Sequence, residues 1–134
     1  MSAKSNYTQT ATLNTLLNTS TVYLALFTTA PNDAYTSESP TGQEVSGNAY
    51  ARQVIAFSAP AGGTATTPSS TSNSSLIAFL TATPSGWTTI VAFAIMDAPT
   101  NGSLLYWDTL SPSQTINAGD ILQFQSTAIT IAEN

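Results

Sequence analysis

Apolar side chains occur along this chain in short runs that polar and turn residues separate. In the first run, three leucines recur at the spacing of an α-helix, namely Leu13, Leu16 and Leu17. This spacing predicts a short amphipathic helix over about residues 8–18, with Thr8 or Thr10 as its N-cap. The residues before it, about 1–7, are polar and are predicted to form an arm that an assembly partner orders.

The run VYLALFTTAP, at 22–31, is stopped by Pro31 and predicts a strand buried on both faces. Five later runs have the length of strands and are separated by the turn signals TPSG, APTNGS, SPSQ and NAGD. These runs are 76–82, 87–97, 104–110, 121–126 and 128–133. The pattern therefore predicts a mainly all-β fold, an antiparallel β-sandwich or barrel with a short N-terminal helix, in one domain over 1–134.

Two segments lack this periodicity. NDAYTSESPTGQ, at 32–43, holds turn residues and two acids, and it predicts a surface loop. AGGTATTPSSTSNSS, at 61–75, offers no apolar anchor to a core. We therefore expect it to be an exposed, flexible connection.

The stretch EVSGNAYARQ, at 44–53, combines a turn with the start of a strand. Gly47 permits the turn, because glycine adopts backbone angles that other residues resist. The residues after the turn are predicted to form a strand. Because side chains of a strand point alternately to opposite faces, each residue is assigned to one of two faces. One predicted face carries Tyr50, Arg52, Val54 and Ala56, and the other carries Ala51, Gln53, Ile55 and Phe57.

Arg52 is one of two basic residues in the chain, and two interpretations compete for it. Its side chain presents a planar fork of donors and an apolar stem that can cover the ring of Tyr50. In the first interpretation it pairs with an acid and pins the loop to the sheet. The candidate acids are Glu44, Asp97 and Asp108. In the second interpretation it contacts a neighbouring subunit, since arginine is enriched at interfaces.

Charge and residue types exclude several classes of function. Seven acidic and two basic residues give a formal net charge of −5. This balance disfavours binding to nucleic acid or to an anionic membrane, because both draw on lysine and arginine. The chain has no Cys and no His, so disulfides, imidazole bases and the commonest zinc ligands are absent. No run approaches the ~20 apolar residues that span a bilayer, and we expect a soluble protein without a targeting segment.

The surface chemistry indicates an assembly. Only 7% of the residues are charged, and threonine, serine, alanine and asparagine fill the chain. Weakly charged surfaces are prone to associate. Such a surface is more typical of a protein covered by neighbours in an assembly than of a freely diffusing enzyme.

Three aspartates and three aromatic residues are weaker candidates for a site. Asp97, Asp108 and Asp120 could form a carboxylate pair for glycoside hydrolysis or bind calcium, but turn chemistry accounts for Asp97 and Asp120. The aromatic residues could stack on a sugar, yet strand positions favour a core or an interface for Trp87, Tyr106 and Trp107. We therefore predict no catalytic, cofactor-binding or metal-binding residue.

Four blocks of sequence, taken in order, carry a resemblance to a known family. They are VYLALFTTAP (22–31), EVSGNAYARQ (44–53), WTTIVAFAIMDAPTNGSLLYW (87–107) and INAGDILQF (116–124). Together they resemble a family of small tailed-bacteriophage virion proteins, whose members are tail-fibre-like proteins or capsid decoration (cement) proteins. The resemblance implies a β-rich structural module that catalyses no reaction. The chain departs from the family at SGNAY, where a glycine is expected in place of Asn48 or Ala49, and in a longer loop over 33–43.

From this resemblance we expect a virion structural protein made in the host cytoplasm. The main prediction is a capsid decoration protein that binds the major capsid protein on the assembled shell as a homotrimer. The alternative is a tail component, either a tail-fibre-like or a receptor-binding module, and a glycan-degrading enzyme is disfavoured. The residues predicted to have structural or interface roles are Arg52, Tyr50, Glu44, Gly47, Trp87, Asp97, Tyr106 and Trp107.

Overall fold

The computed structural model describes residues 4–62 and 68–133, and within these ranges it holds one helix and nine strands. The elements are α1 (Asn6–Leu17), β1 (Val22–Thr29), β2 (Gln43–Glu44), β3 (Gln53–Ile55), β4 (Ser69–Ser72), β5 (Ile77–Ala78), β6 (Thr88–Met96), β7 (Leu104–Ile116), β8 (Gln123–Phe124) and β9 (Thr130–Glu133). The strands pair antiparallel. The predicted mainly all-β fold with a short N-terminal helix is confirmed.

The main sheet has β1 and β6 at its centre. Its strand order is β2–β1–β6–β7, and β3 also pairs with β1. Two shorter ladders, β4–β9 and β5–β8, complete the strands of the described residues. Side chains from both ladders and from α1 join one face of the main sheet in a single apolar cluster.

Strand β1 is buried on both faces, as its continuous apolar run predicts. Because successive side chains of a strand point to opposite faces, Leu24 and Leu26 enter the large cluster beneath the short ladders. Ala25 and Phe27 enter a second cluster on the other face. The ring of Tyr35 packs edge-on against Phe27, with the ring centroids 6.4 Å apart. The 32–43 segment is thus a loop, and it helps to cover the second face.

Helix α1 begins earlier than the spacing of its leucines predicts. Ser5 is its N-cap, because its extended backbone lets Oγ accept the backbone N–H of Thr8 at 3.2 Å. The prediction of Thr8 or Thr10 as the N-cap is therefore wrong, and the predicted arm over 1–7 is shortened. Lys4 forms an ion pair with Glu133, so the chain is already held just before the helix. Residues 1–3 lie outside the described part of the chain.

Strand β7 continues through SPSQ, so the turn predicted there is wrong. The pairs Ala92↔Thr109 and Ile90↔Gln114 show how the ladder accommodates this segment. Between these two pairs, one residue of β6 (91) faces four residues of β7 (110–113), so β7 bulges out of the ladder. Bulges of this kind leave backbone groups out of the ladder, which is where a proline is tolerated. The other three turn signals lie outside strands.

Residues 68–75, the larger described part of the segment 61–75, are not the exposed connection that its composition predicts. Residues 69–72 form β4, which pairs with β9, and the side chains of Ser69, Thr71 and Asn73 are buried. Hydrogen bonds replace apolar contacts here. For example, the side-chain Oε1 of Gln9 accepts the backbone N–H of Ser69 at 2.9 Å. Residues 63–67 lie outside the described residues.

Several predicted strands are shorter in the structure. The runs 76–82 and 121–126 contribute only the two-residue strands β5 and β8, although the bond from Phe79 N to Leu122 O, at 2.9 Å, continues their ladder. The predicted alternation over 50–57 holds for exposed Val54 and buried Ile55, but β3 begins only at residue 53. Arg52 does not share the exposed face of Val54, since its side chain is buried and hydrogen-bonded within the chain.

The described residues contain no helix that is long and apolar enough to cross a membrane.

Candidate functional site: the Arg52 cluster

The guanidinium of Arg52 joins strand β2 to the turn between β6 and β7. Its Nε and Nη2 each donate to one carboxylate oxygen of Glu44 at 2.8 Å. Its Nη1 donates to the carbonyl oxygens of Ala98 and Asn101, also at 2.8 Å. The side chain of Arg52 is 5% exposed and that of Glu44 is 22% exposed. Of the three acids predicted as partners, the structure therefore pairs Arg52 with Glu44.

Tyr50 connects this ion pair to the core. Its hydroxyl donates to Oε2 of Glu44 at 2.7 Å and accepts the backbone N–H of Leu26 at 3.0 Å. Its ring stacks on Phe79 with centroids 6.1 Å apart and meets the ring of Trp87 edge-on at 5.5 Å. We call Arg52, Glu44 and Tyr50 the Arg52 cluster. Its hydrogen bonds link β1, β2 and the β6–β7 turn to one another.

Burial and the contact with Glu44 shift the pKa values of Tyr50 and Arg52 in the cluster. Burial, and then the nearby charge of Glu44, raises the pKa of the Tyr50 phenol well above its usual value. Burial lowers the pKa of the Arg52 guanidinium, but its hydrogen bonds and attraction to Glu44 outweigh this, and the pKa lies above its usual value. Neither group exchanges a proton near neutral pH. The cluster is therefore suited to holding segments together and not to acid–base catalysis.

The turn before Tyr50 has an unusual backbone. Gly47, Asn48 and Ala49 all have positive φ angles, of 75°, 53° and 67°. The turn positions Asn48 so that its carbonyl oxygen accepts the indole N–H of Trp87 at 2.9 Å. The departure from the family at SGNAY thus falls on two residues in a conformation that favours glycine.

We expect Ala49→Gly to raise the free energy of unfolding by about 0.5–1 kcal/mol, because glycine adopts a left-handed backbone without the clash that alanine suffers. Ala51→Gly is the matched control, since Ala51 is exposed and its φ is not positive. The control is expected to be neutral or destabilising. Urea unfolding of both variants tests this, and equal effects at 49 and 51 would contradict it.

The three candidate aspartates accept backbone hydrogen bonds, Asp97 and Asp120 at turns and Asp108 within β7. Oδ1 of Asp97 accepts the backbone N–H of Ser103 at 2.7 Å across the β6–β7 turn. Oδ2 of Asp120 accepts the N–H of Asn117 at 2.8 Å. Asp108 accepts the N–H of the next residue, Thr109. Within 4–62 and 68–133, no three His, Cys, Asp or Glu side chains are grouped so that they could hold a metal ion.

The three aromatic candidates use their polar atoms internally. Trp87 is buried beneath Tyr50 and bonds to Asn48, so it does not offer a face to a sugar. Tyr106 is half-buried, its hydroxyl donates to Glu133 at 3.0 Å, and burial raises the pKa of its phenol. The indole N–H of Trp107 donates to Asp33 at 2.9 Å. Tyr106 and Trp107 lie on β7, and their hydrogen-bond partners, Glu133 and Asp33, are outside the Arg52 cluster.

A comparison with family models agrees with the resemblance seen in the sequence. The model for the family described as Podophage GP4 fiber I protein gp80 matches residues 3–132. The chain belongs to this family. It is therefore a phage virion structural protein, as the four sequence blocks indicate. No curated protein matches the chain.

In this member of the fiber I family, the structure brings together five of the eight predicted site residues and the turn closed by Asp97. Arg52, Glu44 and Tyr50 are in direct contact, Trp87 packs on Tyr50, and Gly47 begins the turn that leads to them. Sequence reasoning missed the carbonyl partners of Arg52 at 98 and 101. It also missed Asn73, whose amide lies in a stretch of hydroxyl residues and carries no periodic signal.

Proposed function

We propose that this protein is a non-enzymatic fibre component carried on the tail of the virion. The observation that carries the proposal is the match of the fiber I family model to residues 3–132. The description of this family as a fibre protein favours the tail alternative. Capsid decoration is supported by the sequence resemblance alone. The major capsid protein as a partner and the homotrimer stay predictions.

The chemistry of the chain supports a structural role without catalysis. The sequence has no His or Cys, and Asp97, Asp108 and Asp120 each accept a backbone hydrogen bond. The only arginine is committed to Glu44 and to two carbonyl oxygens. These three aspartates and the arginine therefore stabilise the fold of the fibre component by hydrogen bonds within the chain.

The charges of the chain also restrict how it attaches to its neighbours. Its two cations are Lys4 and Arg52, and both are paired inside the chain. Because neither cation is left to bind acids of a partner, we expect apolar contacts and backbone and hydroxyl hydrogen bonds to carry the attachment. Such contacts persist in salt, whereas exposed charge pairs are screened.

We expect the protein to stay on purified particles in 1 M sodium chloride, at which the Debye length is about 3 Å, and to be released by urea or guanidinium. Pelleting the particles and quantifying the protein in pellet and supernatant tests this. A steep loss between low and moderate salt would contradict it and would indicate attachment by acids of the 33–44 segment, where Asp33 and Glu38 are exposed while Glu44 is already bound to Arg52.

Copy number tests the proposed function. Quantitative mass spectrometry of purified virions gives the ratio of this protein to the major capsid protein. A tail fibre component is expected at far fewer copies than the shell protein. A ratio close to that of the shell subunits would instead support capsid decoration.

A further inference from the structure

Four of the five large apolar side chains that the described residues expose lie on one surface. Their exposed fractions are 59% for Val54, 48% for Leu76, 55% for Leu80 and 53% for Ile121. The fifth, Tyr7, lies on α1. Most surfaces expose such side chains singly, so this grouping calls for a physical explanation.

The register of the β5–β8 ladder places three of these side chains on the same outer face, with Leu80 beside Ile121 and Leu76 farther along the strand, beyond Ala78. Ile77 pairs with Phe124, and the bond from Phe79 N to Leu122 O carries the same register onward. Leu80 therefore lies opposite Ile121. Because side chains alternate along a strand, Ile77 and Phe79 enter the core while Leu76 and Leu80 point outward.

The fourth side chain joins the same surface through β3. Phe57 forms a bridge with Asn73, and the backbone N–H of Ser74 donates to the carbonyl oxygen of Ala56 at 2.9 Å. Strand β3 also lies against β5, so the exposed side chain of Val54 borders the same surface. We call the exposed side chains of Val54, Leu76, Leu80 and Ile121 the apolar face.

The apolar face carries no charge. The segments that form it are 53–57, 74–82 and 121–125, and none contains an acidic or basic residue. Beside it, β8 pairs only with β5 among the described residues, which leaves its other edge without a strand partner. An uncharged apolar face next to an open strand edge is a surface on which a second chain can dock.

We propose that the apolar face is a contact between copies of this chain. The formal net charge of −5 makes two copies repel wherever their acids approach, because both cations are already paired internally. A charge-free surface is the part of the molecule where two identical chains meet without that repulsion. The open edge of β8 adds backbone hydrogen bonds to the apolar contact. The inference holds whether the protein lies on the tail or on the head.

Sedimentation equilibrium of the purified full chain over a range of concentrations tests the contact. The wild-type protein is expected to form an oligomer. Leu80→Glu and Ile121→Glu are each expected to raise the Kd of self-association by about 100-fold or more, because each would bury an unpaired charge in the contact. Both side chains are more than half exposed, so the variants are expected to melt like the wild-type protein.

Tyr7→Glu is the matched control, since it adds the same charge to an exposed apolar residue away from the apolar face. It is expected to leave the oligomer intact. The proposal is overturned if the wild-type protein sediments as a monomer throughout, or if both variants associate as the wild type does. It is also overturned if Tyr7→Glu dissociates the oligomer equally. A monomeric wild type whose Leu80→Glu variant no longer joins particles would assign the apolar face to a different virion protein.

Discussion

Replacing Arg52 with alanine is expected to lower the free energy of unfolding by about 3 kcal/mol, the lower end of the range for breaking a buried ion pair. The substitution leaves the Glu44 carboxylate without its cation, and it leaves the carbonyl oxygens of Ala98 and Asn101 without their donor. The estimate lies at the lower end because Glu44 keeps a partial exposure of 22%. Urea unfolding of the isolated protein measures the change.

The chain offers a matched control in its other cation. Lys4 pairs with Glu133, but its side chain is 40% exposed. Lys4→Ala is therefore expected to cost less than about 1 kcal/mol. If Arg52→Ala melts like the wild-type protein and yet fails to join particles, the role of Arg52 as an internal clamp is wrong, and it contacts a neighbouring subunit.

Asn73→Ala is expected to lower the free energy of unfolding by about 2–3 kcal/mol, because it leaves buried backbone groups without hydrogen-bond partners. Asn73 as a whole is 1% exposed, and its side-chain amide makes three hydrogen bonds. It donates to the carbonyl oxygens of Ser75 and Gln125 and accepts the backbone N–H of Ile129, each at 2.9 Å. This one side chain thus joins the end of β4 to the segment between β8 and β9.

Asn117→Ala is the control for the loss of an asparagine. Asn117 is exposed, and its side chain makes no hydrogen bond within the described residues. Its replacement is expected to change stability by no more than about 0.5 kcal/mol. Thermal unfolding of the two variants and the wild-type protein compares these changes in stability. Equal losses of stability on substitution at 73 and at 117 would show that the amide of Asn73 does not stabilise the β4 segment.

Apolar periodicity predicted the parts of the fold that apolar contacts hold. The run at 22–31 is the central strand β1, and the leucines at 13 and 17 are the buried side of α1. The same periodicity does not predict the buried strand at 69–72, because the buried side chains there are the hydroxyls of Ser69 and Thr71 and the amide of the adjacent Asn73. Hydrogen bonds such as those of Asn73 depend on partners more than 50 residues away, and no local pattern reports them.

The Arg52 cluster shows the same limit at a finer scale. The sequence indicates that Arg52 pairs with an acid, and it offers three. It cannot distinguish them, because the choice depends on the path of the β6–β7 turn. Asp97 is used to close that turn on Ser103, and the turn then presents its carbonyl oxygens to Arg52. Glu44 lies beside the guanidinium because β2 pairs with β1 next to Tyr50.

The family match and the chemistry of the site together favour a structural fibre component. The fold is held by an internal ion pair, a buried amide and two apolar clusters. The apolar face is the surface at which we propose that a second copy binds. The position of the protein on the particle is the claim on which the proposed function depends.

Gold-labelled antibody against this protein, imaged by electron microscopy on intact virions, tests that claim most directly. The proposed function predicts label at the tail and none over the head shell. Label distributed over the surface of the head would contradict it and would support capsid decoration.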